Sequence, residues 1–175
     1  MADRQLLLQN SLVQASCSRQ TLLAMIRRAV RQDAEAIFRV RMAAIRELAA
    51  GHYSEDQIRA WHGNNSPNSY EPPNADKLVL VEESEEGVCG FAQLDVWAGI
   101  VDRVYVSPHY ARRGIGTRLL IELEAVARTL GVAKLCVDAS LNAVPFYQSA
   151  GYVAVKVCKH ELQPGIVAMV KEFRE

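Results

Sequence analysis

The sequence predicts a mixed α/β fold, an α+β sheet layered with helices in the order β-αα-βββ-α-β-α-ββ, and three observations lead to it. Ile37, Val40, Ala44 and Leu48 keep helical spacing until Gly51, and Ile115, Leu119, Leu123, Val126 and Leu130 keep it until Gly131. Between these two stretches, residues 78–107 change to strand-like runs. The composition is that of an ordinary globular domain, with 175 residues, 50% apolar and 23% charged. A chain of this size buries about 70% of the surface its unfolded form exposes, so it needs neither disulfides nor metals to fold.

Residues 1–22 lack caps and a continuous apolar face, and read as an N-terminal tail or extension; residues 23–175 read as a single domain. Met25 to Val30 is an opening strand, and Gln32-Asp33 offers an N-cap to the first helix. Ser54-Glu55-Asp56-Gln57 is a capping box that opens a short second helix through Trp61. Gly63 to Asp76, rich in proline and asparagine, is a long loop. Leu78 to Glu82 and Val88 to Asp95 pair as a hairpin across a charged turn, so the run Glu82 to Glu86 reads as a solvated tip. A strand from Gly99 to Ser107 follows, then the strong amphipathic helix, a buried strand at Leu135-Cys136-Val137 and a short helix around 143–150. Two last strands, Tyr152 to Leu162 and Ile166 to Phe173, turn at Pro164-Gly165.

Charge and cysteine usage exclude several functions. With a formal net charge of +0, a dedicated nucleic-acid or anionic-membrane surface is not expected. Apolar runs such as Leu78 to Val81 are far too short to span a bilayer. Cys17, Cys89, Cys136 and Cys158 form no C-x-x-C pair, and the histidines at 52, 62, 109 and 160 form no H-x-x-x-H pattern, so no metal site is expected. No secretory signal is legible, and the expected location is the cytoplasm.

The stretch that carries most chemistry runs from Val104 to Leu120. A strand ends at Pro108, the loop Arg112-Arg113-Gly114-Ile115-Gly116-Thr117 follows, and the best helix of the chain begins. Such a loop leaves backbone N–H groups free at the positive end of a helix, and glycines allow close approach, so a phosphate or pyrophosphate is the natural partner. Arg112 and Arg113 add positive charge. The pattern is not a Walker A loop, and the Rossmann spacing fails at Leu119.

Here the sequence resembles the GNAT superfamily of N-acetyltransferases over roughly residues 24–173. Val104-Tyr105-Val106-Ser107-Pro108 and Gly114-Ile115-Gly116 match that family's strand and its (Gln/Arg)-x-x-Gly-x-(Gly/Ala) loop, with Ala111 at the leading Gln/Arg position. The resemblance implies that the loop amides hold the pyrophosphate of acetyl-CoA. It also implies that the backbone of Val104 and Val106 pairs with the pantetheine arm like an added strand, which requires a sheet splayed open there. A second segment, Ser140 to Tyr152, resembles Asn-x-x-Ala-x-x-(Leu/Phe)-Tyr-x-x-x-Gly-Phe, with Ser140 in place of Asn and Tyr152 in place of Phe. Ser140 and Tyr147 thereby join the donor-binding candidates. Residues 51–61 and 137–140 look like a bacterial branch typified by YafP-like acetyltransferases.

Acyl transfer to an amine makes two demands on protons. A lysine-like amine, with pKa about 10.4, must shed one to become nucleophilic, and a departing thiolate, with thiol pKa about 8.5, benefits from receiving one. Tyr147 matches the family's general-acid tyrosine. For the base, period-two alternation sets Asp102 on the face of Val104 and Val106; Glu47, His52 and His62 are the other candidates. His52, Tyr53 and Trp61, with Trp97, are candidate walls of an aromatic pocket for the acceptor amine. The expected partners are acetyl-CoA and an amine of a small molecule or peptide, with a homodimer as the family's common assembly. A non-catalytic acyl-CoA-binding regulatory module is the alternative function.

Overall fold

Among the described residues, five strands pair only with antiparallel neighbours and the other two share the one parallel junction, which decides where the site lies. The computed structural model describes residues 25–48, 51–62, 66–67, 77–155 and 165–173, the side chains of 60–62 excepted. The expected tail at 1–22, most of the 63–76 loop and the 156–164 part of the penultimate strand lie outside the described residues. Within them the strands are β1 (Met25–Arg28), β2 (Lys77–Ser84), β3 (Gly87–Asp95), β4 (Ile100–Val106), β5 (Lys134–Ser140), β6 (Val153–Ala154) and β7 (Ile166–Glu172). The helices are α1 (Ala34–Leu48), α2 (Glu55–His62), α3 (Ile115–Thr129) and α4 (Val144–Ser149). The strands form a 7-stranded sheet of order β1-β2-β3-β4-β5-β7-β6. This is the expected mixed sheet with its flanking helices.

Local signals explain most element starts. Before α1, Asp33 accepts the Val30 N–H at 2.7 Å and a two-pronged bond from Arg27 at 2.7 and 2.9 Å, so it closes the turn back onto β1 and does not cap forward. The Arg27 guanidinium holds the Asp33 carboxyl below the usual carboxylate range. At α2, Ser54 N–H donates to Gln57 Oε1 at 2.9 Å and Gln57 N–H donates to Ser54 Oγ at 3.3 Å, the reciprocal box read from the sequence.

Side-chain alternation splits the core across the sheet. Leu78 and Leu80 of β2 and Ala92 and Leu94 of β3 meet Leu119, Leu120 and Leu123 of α3, while Val81 and Phe91 meet Ile37 and Val40 of α1 on the opposite face. The three α3 leucines are no more than 1% exposed, and burying each contributes about 1.5–3 kcal/mol. Gly90 lets the start of α3 settle directly on β3, since a Cβ there would stand 2.7 Å from Ile115 Cγ2. That close approach fixes the helix start beside the end of β4, because Gly90 pairs with Val106.

The sheet opens between β4 and β5. These parallel strands share one register pair, Ile100 with Cys136, closed by Cys136 N–H donating to the Gly99 carbonyl at 2.8 Å. Beyond it they diverge, and the outward edge of β4 runs on to Val106 without a β5 partner. In sheets of this kind ligands enter at the C-terminal ends of parallel strands where the topology reverses. Among the described residues no helix is long and apolar enough to cross a membrane.

Candidate active site

A cleft of about 650 Å³ occupies the splay. Val104 and Val106 of β4 form one wall, and Asn142, Ala143, Pro145, Phe146 and Ser149 form the wall facing them. Ala111, Arg112 and residues 114–117 close one end, and Leu48 and His52 from the exit of α1 close another.

The loop end is built for an anion. After β4, a 3-10 turn at Pro108–Tyr110 uses the Tyr110 and Ala111 N–H groups on Ser107 and Pro108 carbonyls at 2.9 and 3.1 Å. The backbone then enters the left-handed region at Arg112 (φ 63) and again at Gly114 (φ 78), and α3 begins. Holding a non-glycine residue such as Arg112 there costs of order 1 kcal/mol or more, which the surrounding contacts must offset. Among the described residues, no protein acceptor meets the N–H groups of 112–117; the first return bond runs from Arg118 N–H to the Gly114 carbonyl at 3.0 Å. Free amides converging at a helix start attract phosphate through directed hydrogen bonds and the helix dipole together.

The two loop arginines part company. Arg112 lines the cleft, whereas the Arg113 guanidinium lies over the Tyr110 ring, 5.2 Å from its centroid. Tyr110 in turn donates to Glu86 Oε2 at 2.9 Å and stands 3.0 Å from Ser84 Oγ. Glu82, expected at a solvated tip, is instead fully buried at 0% exposure, with Arg118 Nε donating to its Oε2 at 3.2 Å and Nη2 to its Oε1. The signal was present in the alternation: Leu78, Leu80 and Glu82 are successive residues on the α3-facing side of β2.

Tyr147 is 4% exposed and packs edge-on against Phe146 and Tyr152, with ring centroids 4.9 and 5.4 Å away. Phe146 is the neighbour that fronts the cleft wall. Burial raises the Tyr147 pKa well above that of free phenol, so the hydroxyl stays protonated at neutral pH. Among the described residues nothing hydrogen-bonds that hydroxyl.

Asp102 departs from its expected face. The β3–β4 register pairs Gln93 with Arg103 but Leu94 with Val101, a bulge that leaves Asp102 unpaired and breaks the period of two. Its carboxylate accepts Lys77 Nζ at 2.6 Å, on the side where Lys77 also holds Asp95 at 2.9 Å, and it does not line the cleft that Val104 and Val106 line.

Of the acceptor-side candidates, His52 lines the cleft and is exposed. Tyr53 does not; its hydroxyl accepts Leu141 N–H and donates to the Gly165 carbonyl, both at 2.6 Å, so it braces the α1–α2 turn against the ends of β5 and β7. The Trp61 and His62 side chains lie outside the described ones, and Trp97 stands exposed in the β3–β4 turn. Ser140 pairs with Ile166 and lends its carbonyl to Ala143 N–H at 2.8 Å, without lining the cleft. Asn142, which the sequence reading passed over, does line it: its Nδ2 donates to the Leu48 carbonyl at 3.4 Å, and its Oδ1 is buried with no partner among the described residues. A buried acceptor with no donor is costly unless something supplies one. Its place two residues after Ser140, where the resembled pattern has its asparagine, was the available signal.

Comparison with known proteins agrees with this geometry. Residues 49–173 match the family described as an acetyltransferase (GNAT) domain. The uncharacterised N-acetyltransferase YafP of Escherichia coli (strain K12) is 27% identical over 124 residues, 71% of this chain and 77% of that protein. The spermidine N(1)-acetyltransferase of Thermoplasma acidophilum is 27% identical over 116 residues, 61% of this chain and 72% of that protein. A solved GCN5-related N-acetyltransferase from Rhodopseudomonas palustris superposes with a TM-score of 0.76 at 29% identity, covering 89% of this chain and 100% of that one. The PaiA N-acetyltransferase of Thermoplasma acidophilum, solved with coenzyme A, shares the fold at a TM-score of 0.70 and 23% identity, over 86% of this chain and 99% of that one. A family match spanning most of the chain, on a splayed sheet that ends at a row of free amides, establishes that the protein belongs to the GNAT acetyltransferase family and is an N-acetyltransferase.

Proposed function

We propose that the cleft takes acetyl-CoA as donor and an amine of a small molecule or peptide as acceptor, and that the amine attacks the thioester directly. The observation that carries this reading is the row of free N–H groups at 112–117 beside the open edge of β4. The pyrophosphate binds those amides with Arg112 beside it, and the pantetheine arm lies along Val104 and Val106 as an added strand. The amine lone pair attacks the thioester carbonyl, the carbon–sulfur bond breaks, and Tyr147 gives its phenolic proton to the departing thiolate. Its hydroxyl is protonated at neutral pH, as any phenol is, and the role rests on the match of residues 140–152 to the family pattern, with Phe146 rather than Tyr147 lining the cleft wall. The amine enters past Leu48 and His52, and His52 accepts its proton. Asp102, engaged by Lys77 and absent from the cleft wall, supports local structure in this reading.

Calorimetric titration with CoA tests the donor site. The wild-type chain is expected to bind, and Gly114→Val, which puts a β-branched side chain at a φ of 78 beside the amides, is expected to weaken binding at least tenfold. Equal affinity in a folded Gly114→Val variant would remove the loop from the donor site.

A further inference from the structure

The β2–β3 hairpin reaches the donor loop through two relays, Glu82 by way of Arg118, and Ser84 and Glu86 by way of Tyr110. We propose that Glu82 is a positioning residue for acetyl-CoA binding, acting through Arg118 to hold the 112–117 amides in the orientation that receives the pyrophosphate. This rests on the donor-site reading above.

Three observations carry it. The Glu82 carboxylate is fully buried, and two of the Arg118 nitrogens, Nε and Nη2, donate to it. The remaining Arg118 nitrogen, Nη1, donates to the Arg113 carbonyl at 3.1 Å. Arg113 lies between two left-handed residues, Arg112 and Gly114. In a trans peptide the carbonyl of one residue and the N–H of the next point in opposite directions, so tying down the Arg113 carbonyl also aims the Gly114 N–H. Glu82 thus orients an arginine, the arginine orients a peptide plane, and that plane carries one of the donors.

The second contact works on the same residue from another side. Ser84 and Glu86 hold Tyr110, and the Tyr110 ring underlies the Arg113 guanidinium. The electrostatics fit. An arginine in the first turns of a helix opposes the helix dipole, and Glu82 offsets that charge from below. The first turn of α3 carries no acidic side chain of its own, so its amides face an incoming anion without competition.

The test compares CoA with pantetheine, which lacks every phosphate, by calorimetry on the wild-type, Glu82→Gln and Arg118→Lys proteins, with thermal melting of each. Arg118→Lys keeps a cation beside Glu82 but cannot reach both the carboxylate and the Arg113 carbonyl. CoA affinity is expected to fall about tenfold in Glu82→Gln and severalfold in Arg118→Lys, with pantetheine affinity unchanged in both. Should Glu82→Gln fail to fold, the Arg118→Lys comparison decides alone. Equal losses for CoA and pantetheine would reduce Glu82 to a stabilising role and overturn the proposal. So would CoA affinity within twofold of wild type, or tighter binding in Glu82→Gln, which would make Arg118 itself the phosphate ligand. A wild-type chain that binds no CoA refutes the donor-site reading instead, a distinguishable result.

Discussion

Two buried carboxylates meet α3, and they are used differently. Glu124, on the helix itself, is 4% exposed and takes Lys171 Nζ at 2.6 and 2.8 Å, with Arg128 Nη2 at 3.5 Å. Its ammonium partner comes from β7, so the pair ties the helix to the far half of the sheet. Glu82 is equally buried, but the Arg118 fork keeps one nitrogen for the loop backbone. A lysine ammonium absorbed by one carboxylate makes a clasp, whereas a planar guanidinium with a spare donor makes a lever. Burial of a charge therefore does not by itself tell stabilising pairs from those that shape a site; the destination of the leftover donor does.

The largest expected effect contrasts the two tyrosines that meet edge to face, Tyr147 and Tyr152. Tyr147→Phe is expected to lower kcat by about 10² to 10⁴ with CoA affinity retained, the range for losing a general acid, while Tyr152→Phe, beside Glu124, leaves kcat near wild type. Steady-state rates under conditions where chemistry limits turnover provide the check, and full turnover by Tyr147→Phe would hand the proton to water.

Next comes the clasp. Lys171→Met strips Glu124 of its principal partner, and a stability loss of about 3 kcal/mol is expected by chemical denaturation, since a buried charge without its ion pair is left uncompensated. CoA affinity should not change, and a parallel loss of binding would erase the distinction between the two carboxylates.

The smallest effect concerns a third carboxylate, Asp102, held by Lys77 away from the cleft. Asp102→Asn is expected to leave kcat/KM near wild type, and His52→Gln to lower it, because losing a general base removes the group that takes the amine proton. The reverse outcome would return the base to β4.

How far these roles were legible follows from the distance over which they are encoded. The β4 strand, the glycine loop and α3 are contiguous, and alternation followed by Gly-x-Gly and a 3.6-residue period specifies them within one stretch of chain. The displacement of Asp102 was hidden because the bulge belongs to the pairing of β4 with β3, and nothing near Asp102 marks it. Glu82 was masked by the charged residues after it, and its burial depends on an arginine 36 positions away. Tyr53 looked like a pocket aromatic, but its hydroxyl answers to backbone groups 88 and 112 positions distant. Side-chain type nominated Asp102 and Tyr53 but not Glu82; only the fold assigns all three their partners.

The gap between β4 and β5 has one more consequence. A strand with unpaired backbone groups is ordinarily a hazard, since it templates pairing with other chains. Here that edge lies in the interior of the sheet, flanked by β5 and α4, while among the described residues the outer borders are β1 and β6. The edge left open by the splay is thus enclosed within the sheet, where a foreign chain does not meet it as it would an outer border.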